Sequence, residues 1–355
     1  MFARRAASVL PLLLALSLPG CGSVSDAAET DPPPAGVEPA GTMVPINDLG
    51  TGTYLGFQGG LYPGGSSAPP ADHRDAGLAA ARRIRPLDLS GAPSAAGKYV
   101  LLSIGMSNTT QEFCSAGGNP PCDAWTFGGQ AAADPAVNHA TLAIANGARG
   151  GQVAEAWDSP ADPNYDRIRD SVLARQGLGE RQVQVVWMKV AHARPSVSLP
   201  DAGADAYALE TDMGEIARAL KARYPNLQQV FVSSRIYAGY ATTNLNPEPY
   251  AYESGFAAKW LVEAQIRQMR GGGVDPRAGD LSYTGGRAAW IAWGPYPWAN
   301  GATARSDGLR WVTSDFEGDG THPAQSGERK VGTMLLGFFK NSPVTRCWFV
   351  AGQAC

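Results

Sequence analysis

Histidine is scarce in this 355-residue chain: His73, His139, His192 and His322 are the whole supply. Chemistry that needs an imidazole base has four positions to draw on. Charge of one sign is also lacking. With 29 basic and 32 acidic residues the formal net charge is −3, and no polybasic run occurs, which argues against nucleic acid as a partner. The apolar run Val9 to Leu18 falls well short of the ~20 residues that span a bilayer. None of the five cysteines forms a Cys-x-x-Cys pair, so the usual signature of a structural zinc site is missing and no metal or organic cofactor is expected.

What is present begins with Arg4-Arg5, that apolar run, and Leu18-Pro-Gly-Cys21. Residues 1–21 read as a targeting segment. Its last four residues resemble a bacterial lipobox, which implies lipidation of Cys21 and attachment to an envelope membrane through the lipid alone. Gly22 resembles signals for the outer membrane, and plain secretion is the alternative. Residues 22–44, with Asp31-Pro-Pro-Pro-Ala35, have the composition of a flexible linker. Residues 45–97 are punctuated by glycine and proline and are expected to pack irregularly on the domain, with Tyr62 and His73 read as framework ahead of the alternative that they line a pocket. The main domain is expected over 98–355, since 44% hydrophobic content suffices for one full core. Beyond Cys21, four cysteines group as Cys114/Cys122 and Cys347/Cys355. Two short-loop disulfides are the simplest assignment in an oxidising compartment, although four cysteines allow three connectivities.

From Tyr99 onward, strand-like and helix-like patterns alternate. Tyr99 to Ile104, Leu142 to Ala145, Val183 to Val190, Gln229 to Ile236 and Ala289 to Trp293 read as buried strands. Helices are expected over Tyr165 to Gln176, on the face Leu209, Met213, Ile216, Leu220, through Phe256 to a stop at Gly271, and on the face Val331, Leu335, Phe338. The fold class is therefore α/β, a three-layer α/β/α sandwich with a mostly parallel five-stranded sheet. In such sheets, sites form at the carboxyl ends of strands, where Ser107 and Gly151 both fall.

The first strand ends in Gly105-Met-Ser-Asn108, a tight turn presenting one hydroxyl. A serine becomes a useful nucleophile only beside a base, itself held in one tautomer by a third group. His322 is the histidine with a carboxylate, Asp319, three residues before it and a helical pattern directly after it. Asp315 and Glu317 share that acidic loop. Ser107 in Gly-x-Ser-Asn, a glycine loop after the second strand and Asp-x-x-His near the C-terminus together resemble the SGNH (GDSL-type) hydrolases, closest to the sialate O-acetylesterase-like branch of carbohydrate acetylesterases. The resemblance covers roughly 98–340 and implies a flavodoxin-like SGNH fold and a Ser107, Asp319, His322 triad, with Asp319 preferred by family spacing.

It also implies an oxyanion hole from the amides of Ser107 and Gly151, with Gly150 the adjacent alternative. The family's Gly-x-Asn-Asp block is absent. Trp187 and Lys189 match Trp-x-Gln of the acetylesterase branch, so Lys189 is the third candidate donor and His192 the next. Asn108, Arg235 and Trp293 are candidate substrate contacts. Arg235 suits an anionic group but equally a framework ion pair, and the aromatic run around Trp293 suits a sugar wall or simply core. The expected partner is a small-molecule or carbohydrate ester. The rival readings are a non-catalytic glycan-binding surface lipoprotein and, ranked last, a metal-dependent phosphoesterase using the acidic loop.

Overall fold

The computed structural model of the chain describes residues 43–355 except Ala116 and Asn119. The targeting segment, Cys21 and nearly all of the expected linker lie outside the described residues. In chain order the principal elements are α1 (Ile46–Leu49), the hairpin β1 (Thr53–Tyr54) and β2 (Phe57–Gln58), α2 (Ala71–Ala81), β3 (Tyr99–Gly105), α3 (Ser107–Phe113), α4 (Phe127–Ala133), β4 (Leu142–Asn146), α5 (Pro163–Arg167), β5 (Val183–Lys189), α6 (Asp205–Arg223), β6 (Gln229–Val232), α7 (Tyr250–Met269), β7 (Trp290–Trp293), α8 (Gln325–Asn341) and α9 (Arg346–Phe349).

The main sheet has five strands in the order β4-β3-β5-β6-β7, and all four pairings are parallel. Every residue of β3, β5, β6 and β7 is buried, which explains their unbroken apolar character: parallel strands covered by helices on both faces have no wet side. One helical group is α3, α4 and α8; another is α6 and α7. The predicted face of α6 is buried at Leu209, Met213, Ile216 and Leu220, and that of α8 at Val331 and Leu335. β3 is flanked by β4 and β5, so the chain leaves β3 in opposite directions to build the two halves of the sheet. Such a switch point opens a crevice at the carboxyl ends of the strands.

Three local readings need correction. Residues 45–97 are not irregular throughout: α2 is an eleven-residue helix whose Ala80 and Ala81 enter the core. Its run of alanine, glycine, aspartate and arginine carries too few large apolar residues to print a helical stripe. The expected helix over Tyr165 to Gln176 starts as α5 at Pro163, widens into a π-helical turn over Ile168–Leu173 and closes as a 3₁₀ turn. The fourth strand ends at Val232, and Ser233 to Ile236 continue as buried chain outside the strand. Tyr62 and His73 do serve as framework, the Tyr62 hydroxyl accepting from the Trp293 N–H and the His73 ring bonding the Ile291 carbonyl.

The cysteines pair as Cys114–Cys122 and Cys347–Cys355. Each closes a loop with a sequence separation of 8, so each stabilises by about 2–3 kcal/mol on a chain-entropy account.

Candidate active site

The turn that carries Ser107 is made by Gly105. Its φ of +145° is a conformation side chains rarely adopt, and a Cβ there would lie 2.0 Å from the Lys189 carbonyl oxygen and 2.5 Å from Thr109 Oγ1. Without that Cβ, β3 runs tight against the end of β5 and turns straight into α3, placing Ser107 at the first helical position. There its N–H has no partner within the helix. Side chains of the next residues fasten the turn from three sides. Thr109 Oγ1 donates to the Lys189 carbonyl at 2.6 Å. Thr110 accepts from the Asn146 amide at 2.7 Å, while Asn146 Oδ1 accepts from Ser103 at 2.5 Å. Asn108 Nδ2 donates to the Thr321 carbonyl at 3.0 Å, tying the serine turn directly to the histidine loop.

That loop brings together the three sequence-predicted groups. His322 Nε2 lies 2.8 Å from Ser107 Oγ, and His322 Nδ1 lies 2.5 Å from Asp319 Oδ2. The other Asp319 oxygen accepts the backbone N–H groups of Thr321 at 2.9 Å and His322 at 3.0 Å. Burial disfavours the Asp319 anion, but the N–H of His322, its ring and the N–H of Thr321 outweigh that and hold the carboxyl below its usual value. An ionised Asp319 can only accept, so it fixes the ring proton on Nδ1 and leaves Nε2 to accept from the serine hydroxyl. The His322 and Asp319 side chains remain 25% and 32% exposed, so the group is open to solvent. Asp315 has no such place. It accepts from the Val312 N–H, Ser326 and Lys330, and its side chain is buried.

The loop after β4 continues beside β3 through the Arg149 N–H to Gly105 carbonyl bond of 3.0 Å. This sets Gly150, not Gly151, alongside Ser107: a Cβ on Gly150 would stand 3.8 Å from Ser107 Cβ, whereas one on Gly151 would meet nothing within 4 Å. Gly151, at φ +75°, is the third residue of a turn closed by the Gln152 N–H on the Arg149 carbonyl. Among the described residues neither the Gly150 nor the Gly151 amide has a hydrogen-bond partner.

The other sequence candidates fall elsewhere. Lys189 is fully enclosed, its ammonium 2.5 Å from both Glu112 oxygens, so its protons are spent on an ion pair under α3 rather than turned to an oxyanion. Burial lowers the Lys189 pKa to about 8, against the opposing pull of Glu112. His192 is held between Asp205 at 2.8 Å and Asp212 at 2.7 Å, so both ring nitrogens are taken. Asn108 and Arg235 are 1% and 2% exposed and bond each other at 2.5 Å; they brace the site from behind instead of meeting substrate. Arg235 Nε and one terminal nitrogen have no partner among the described residues. Trp293 is 3% exposed and packs edge-on against Tyr296, while Trp290, Trp298 and Trp311 are buried, so the aromatic run is core.

Sequence reasoning missed Glu112, Thr109 and the bracing role of Asn146. Glu112 sits five residues after Ser107 in a polar stretch that gives no hint of its burial. Among the described residues, ligand atoms close enough to share an ion occur in Glu155, His192, Asp212 and in Asp158, Asp212, Glu215, and neither set includes a residue of the serine–histidine–aspartate group.

No protein-family model matches the chain, and no curated protein sequence does. Several solved structures are similar to it, three of which follow. An extracellular lipase from Streptomyces rimosus is 15% identical over 67% of this chain and 97% of its own, with a TM-score of 0.32. A carbohydrate esterase family 2 enzyme with its carbohydrate-binding domain, from Corynascus thermopiles (Myceliophthora fergusii), is 14% identical over 69% and 67%, with a TM-score of 0.36. A candidate SGNH hydrolase from Slackia heliotrinireducens is 15% identical over 68% and 99%, with a TM-score of 0.31. These are likenesses of fold, to proteins named as a lipase, an esterase and an SGNH hydrolase.

Proposed function

We propose that the chain is a serine esterase of the SGNH type that removes acyl groups from carbohydrate or other small esters. The observation that carries this reading is the hydrogen-bonded series Ser107 Oγ, His322 Nε2, His322 Nδ1, Asp319 Oδ2, partly open to solvent at the carboxyl edge of the sheet. Nε2 takes the hydroxyl proton as Oγ bonds to the ester carbonyl carbon. The carbonyl oxygen becomes negative and is met by the Ser107 N–H and the unpartnered amides of the Gly150 turn. Imidazolium then returns its proton to the alkoxy oxygen, the carbon–oxygen bond breaks and the alcohol leaves. Water attacks the acyl-serine with His322 again as base, which releases the carboxylic acid and restores Ser107.

This mechanism uses only amide donors for the oxyanion, since Lys189 and His192 are engaged elsewhere. Two disulfides suit the oxidising, extracytoplasmic setting that lipidation at Cys21 would give. Export and anchoring are checked by fractionation: Cys21→Ala should move the protein from the membrane to the soluble fraction.

The test of the chemistry is hydrolysis of a short-chain nitrophenyl ester together with fluorophosphonate labelling. Parent protein should turn over and carry the label on Ser107, while folded Ser107→Ala and His322→Ala variants fall to background. Variants that match the parent would sink the serine mechanism. A folded parent that neither turns over nor labels would leave the non-catalytic glycan-binding reading.

A further inference from the structure

The residues just before Gly150 form one wall of a recess of about 420 Å³, a size within the ordinary range of ligand sites. Ala148 and Arg149 face Thr110 of α3, Gly118 of the disulfide loop, and Arg167 and Arg175 of the helical stretch that starts at Pro163. Three arginines therefore line one concavity. Among the described residues no carboxylate lies within 4.0 Å of any of them. The acids nearest Arg167 and Arg175 along the chain are already committed: Asp166 binds Arg169 and Arg223, Asp170 binds Arg169, and Glu180 binds Arg223.

Arg167 is fixed in place, donating to the Gly147 carbonyl at 2.5 Å and to Asn164 at 3.4 Å. Burial lowers its pKa, and the like charge of Arg149 lowers it further. Like charges lining one recess, with no carboxylate within 4.0 Å among the described residues, are an arrangement that an anion relieves, and guanidinium forks match planar or tetrahedral oxyanions. The recess also has the right neighbour. Gly150 approaches Ser107, and consecutive Cα atoms are about 3.8 Å apart, so the Arg149 backbone lies within about 10 Å of the nucleophile.

We propose that this arginine recess binds an anionic group of the substrate, a carboxylate, sulfate or phosphate, while the ester of the same molecule is presented to Ser107. The proposal rests on the serine-esterase reading and narrows its substrate class to acidic esters. Neutral sugars would lack the group that the recess recognises.

The test is calorimetric binding to full-length Ser107→Ala protein, which is read without turnover. Glucuronate, glucose 6-sulfate and glucose 6-phosphate are each compared with glucose, and inorganic sulfate and phosphate are run alongside. At least one acidic sugar should bind more tightly than glucose, weaken as salt is raised, and lose roughly tenfold or more in affinity in a folded Arg149→Ala/Arg175→Ala background. Glucose binding as well as all three acidic sugars, no binding by any of them, or full binding retained in the double variant each overturns the proposal. A free inorganic anion binding as tightly as its sugar ester does so too, because the recess would then be an ion site with no claim on substrate. Since the readout needs no catalysis, a parent protein without esterase activity would strike the triad reading while leaving the binding result to stand separately.

Discussion

Replacing Glu112 by glutamine isolates the buried charge beneath the Ser107 turn. Glu112 on α3 and Lys189 at the end of β5 are both fully enclosed, with the ammonium 2.5 Å from each carboxylate oxygen. Glutamine keeps the shape but removes the negative charge, leaving Lys189 under the influence of the Arg235 cation. Breaking a buried pair from one side costs about 3–5 kcal/mol. A second route reaches a similar figure. The stranded lysine escapes by losing its proton, and near pH 7 that costs about 1.4 kcal/mol per unit below an ordinary value of about 10.4, or roughly 4–5 kcal/mol. The unfolded chain then binds one more proton than the folded chain, so the variant gains stability as pH rises. Its deficit against the parent shrinks until about pH 8, where the parent's own Lys189 begins to titrate.

The companion Glu112→Gln/Lys189→Met removes both charges and should recover most of the loss. It also decides the role of Lys189. An oxyanion donor would take about 10²–10³ of the rate with it, whereas the ion-pair geometry predicts less than about a tenfold change. Denaturant midpoints at unchanged m-value measure the stability, and initial rates on a nitrophenyl ester measure the activity. A single variant within about 1 kcal/mol of the parent, or a double variant as unstable as the single, refutes the buried-charge reasoning. A folded double variant that loses about 10²–10³ in rate refutes the assignment of Lys189.

Three further outcomes are expected. Asn108→Ala removes the bond to the Thr321 carbonyl and the acceptor for Arg235, so stability should fall by about 2–3 kcal/mol and kcat should drop with KM nearly unchanged; a change in KM alone would count against a positioning role. Gly105→Ala puts a methyl 2.0 Å from the Lys189 carbonyl oxygen and should prevent soluble folding or cost more than about 4 kcal/mol, checked by circular dichroism and urea titration. In His192, burial is outweighed by the bonds to Asp205 and Asp212, which push the pKa up to about 10. A raised folded value means stability that is fully present below the ordinary value of about 6.5 and is lost as pH climbs through about 10, by a few kcal/mol in all. His192→Gln should lose that part of the alkaline slope, and an identical slope in the two proteins would contradict it.

How much of this architecture is legible in the sequence depends on whether the cause is local. Four of the five strands of the main sheet are, because each is an apolar run buried on both faces and ended by a polar or glycine residue, as at Gly105 and Lys189. Ser107 and His322 are legible for the same kind of reason: a turn after a central strand and a carboxylate one helical turn from a scarce histidine. Lys189 is not. Its position at a strand end fits solvent, an oxyanion or an ion pair equally, and the deciding partner is 77 residues away on α3. Asn108 presents the same difficulty across 213 residues to Thr321, and Arg235 across 127 to Asn108. These distant polar links share one property. Thr109 to the Lys189 carbonyl, Thr110 to Asn146 and Asn108 to the Thr321 carbonyl each fix the first turn of α3 to a different segment at the carboxyl edge of the sheet. The serine is therefore held by three anchors that leave its hydroxyl free for His322, and the residues read from sequence as substrate contacts and donors are for the most part the anchors and the charges behind them. A hydroxyl that must be held to within a few tenths of an ångström needs its neighbours buried and bonded, so residues beside a nucleophile in sequence are better first guesses for support than for recognition. Under the proposal above, recognition falls to groups that the local motif does not include: the arginines of the adjoining recess, which have no ion-pair partner among the described residues.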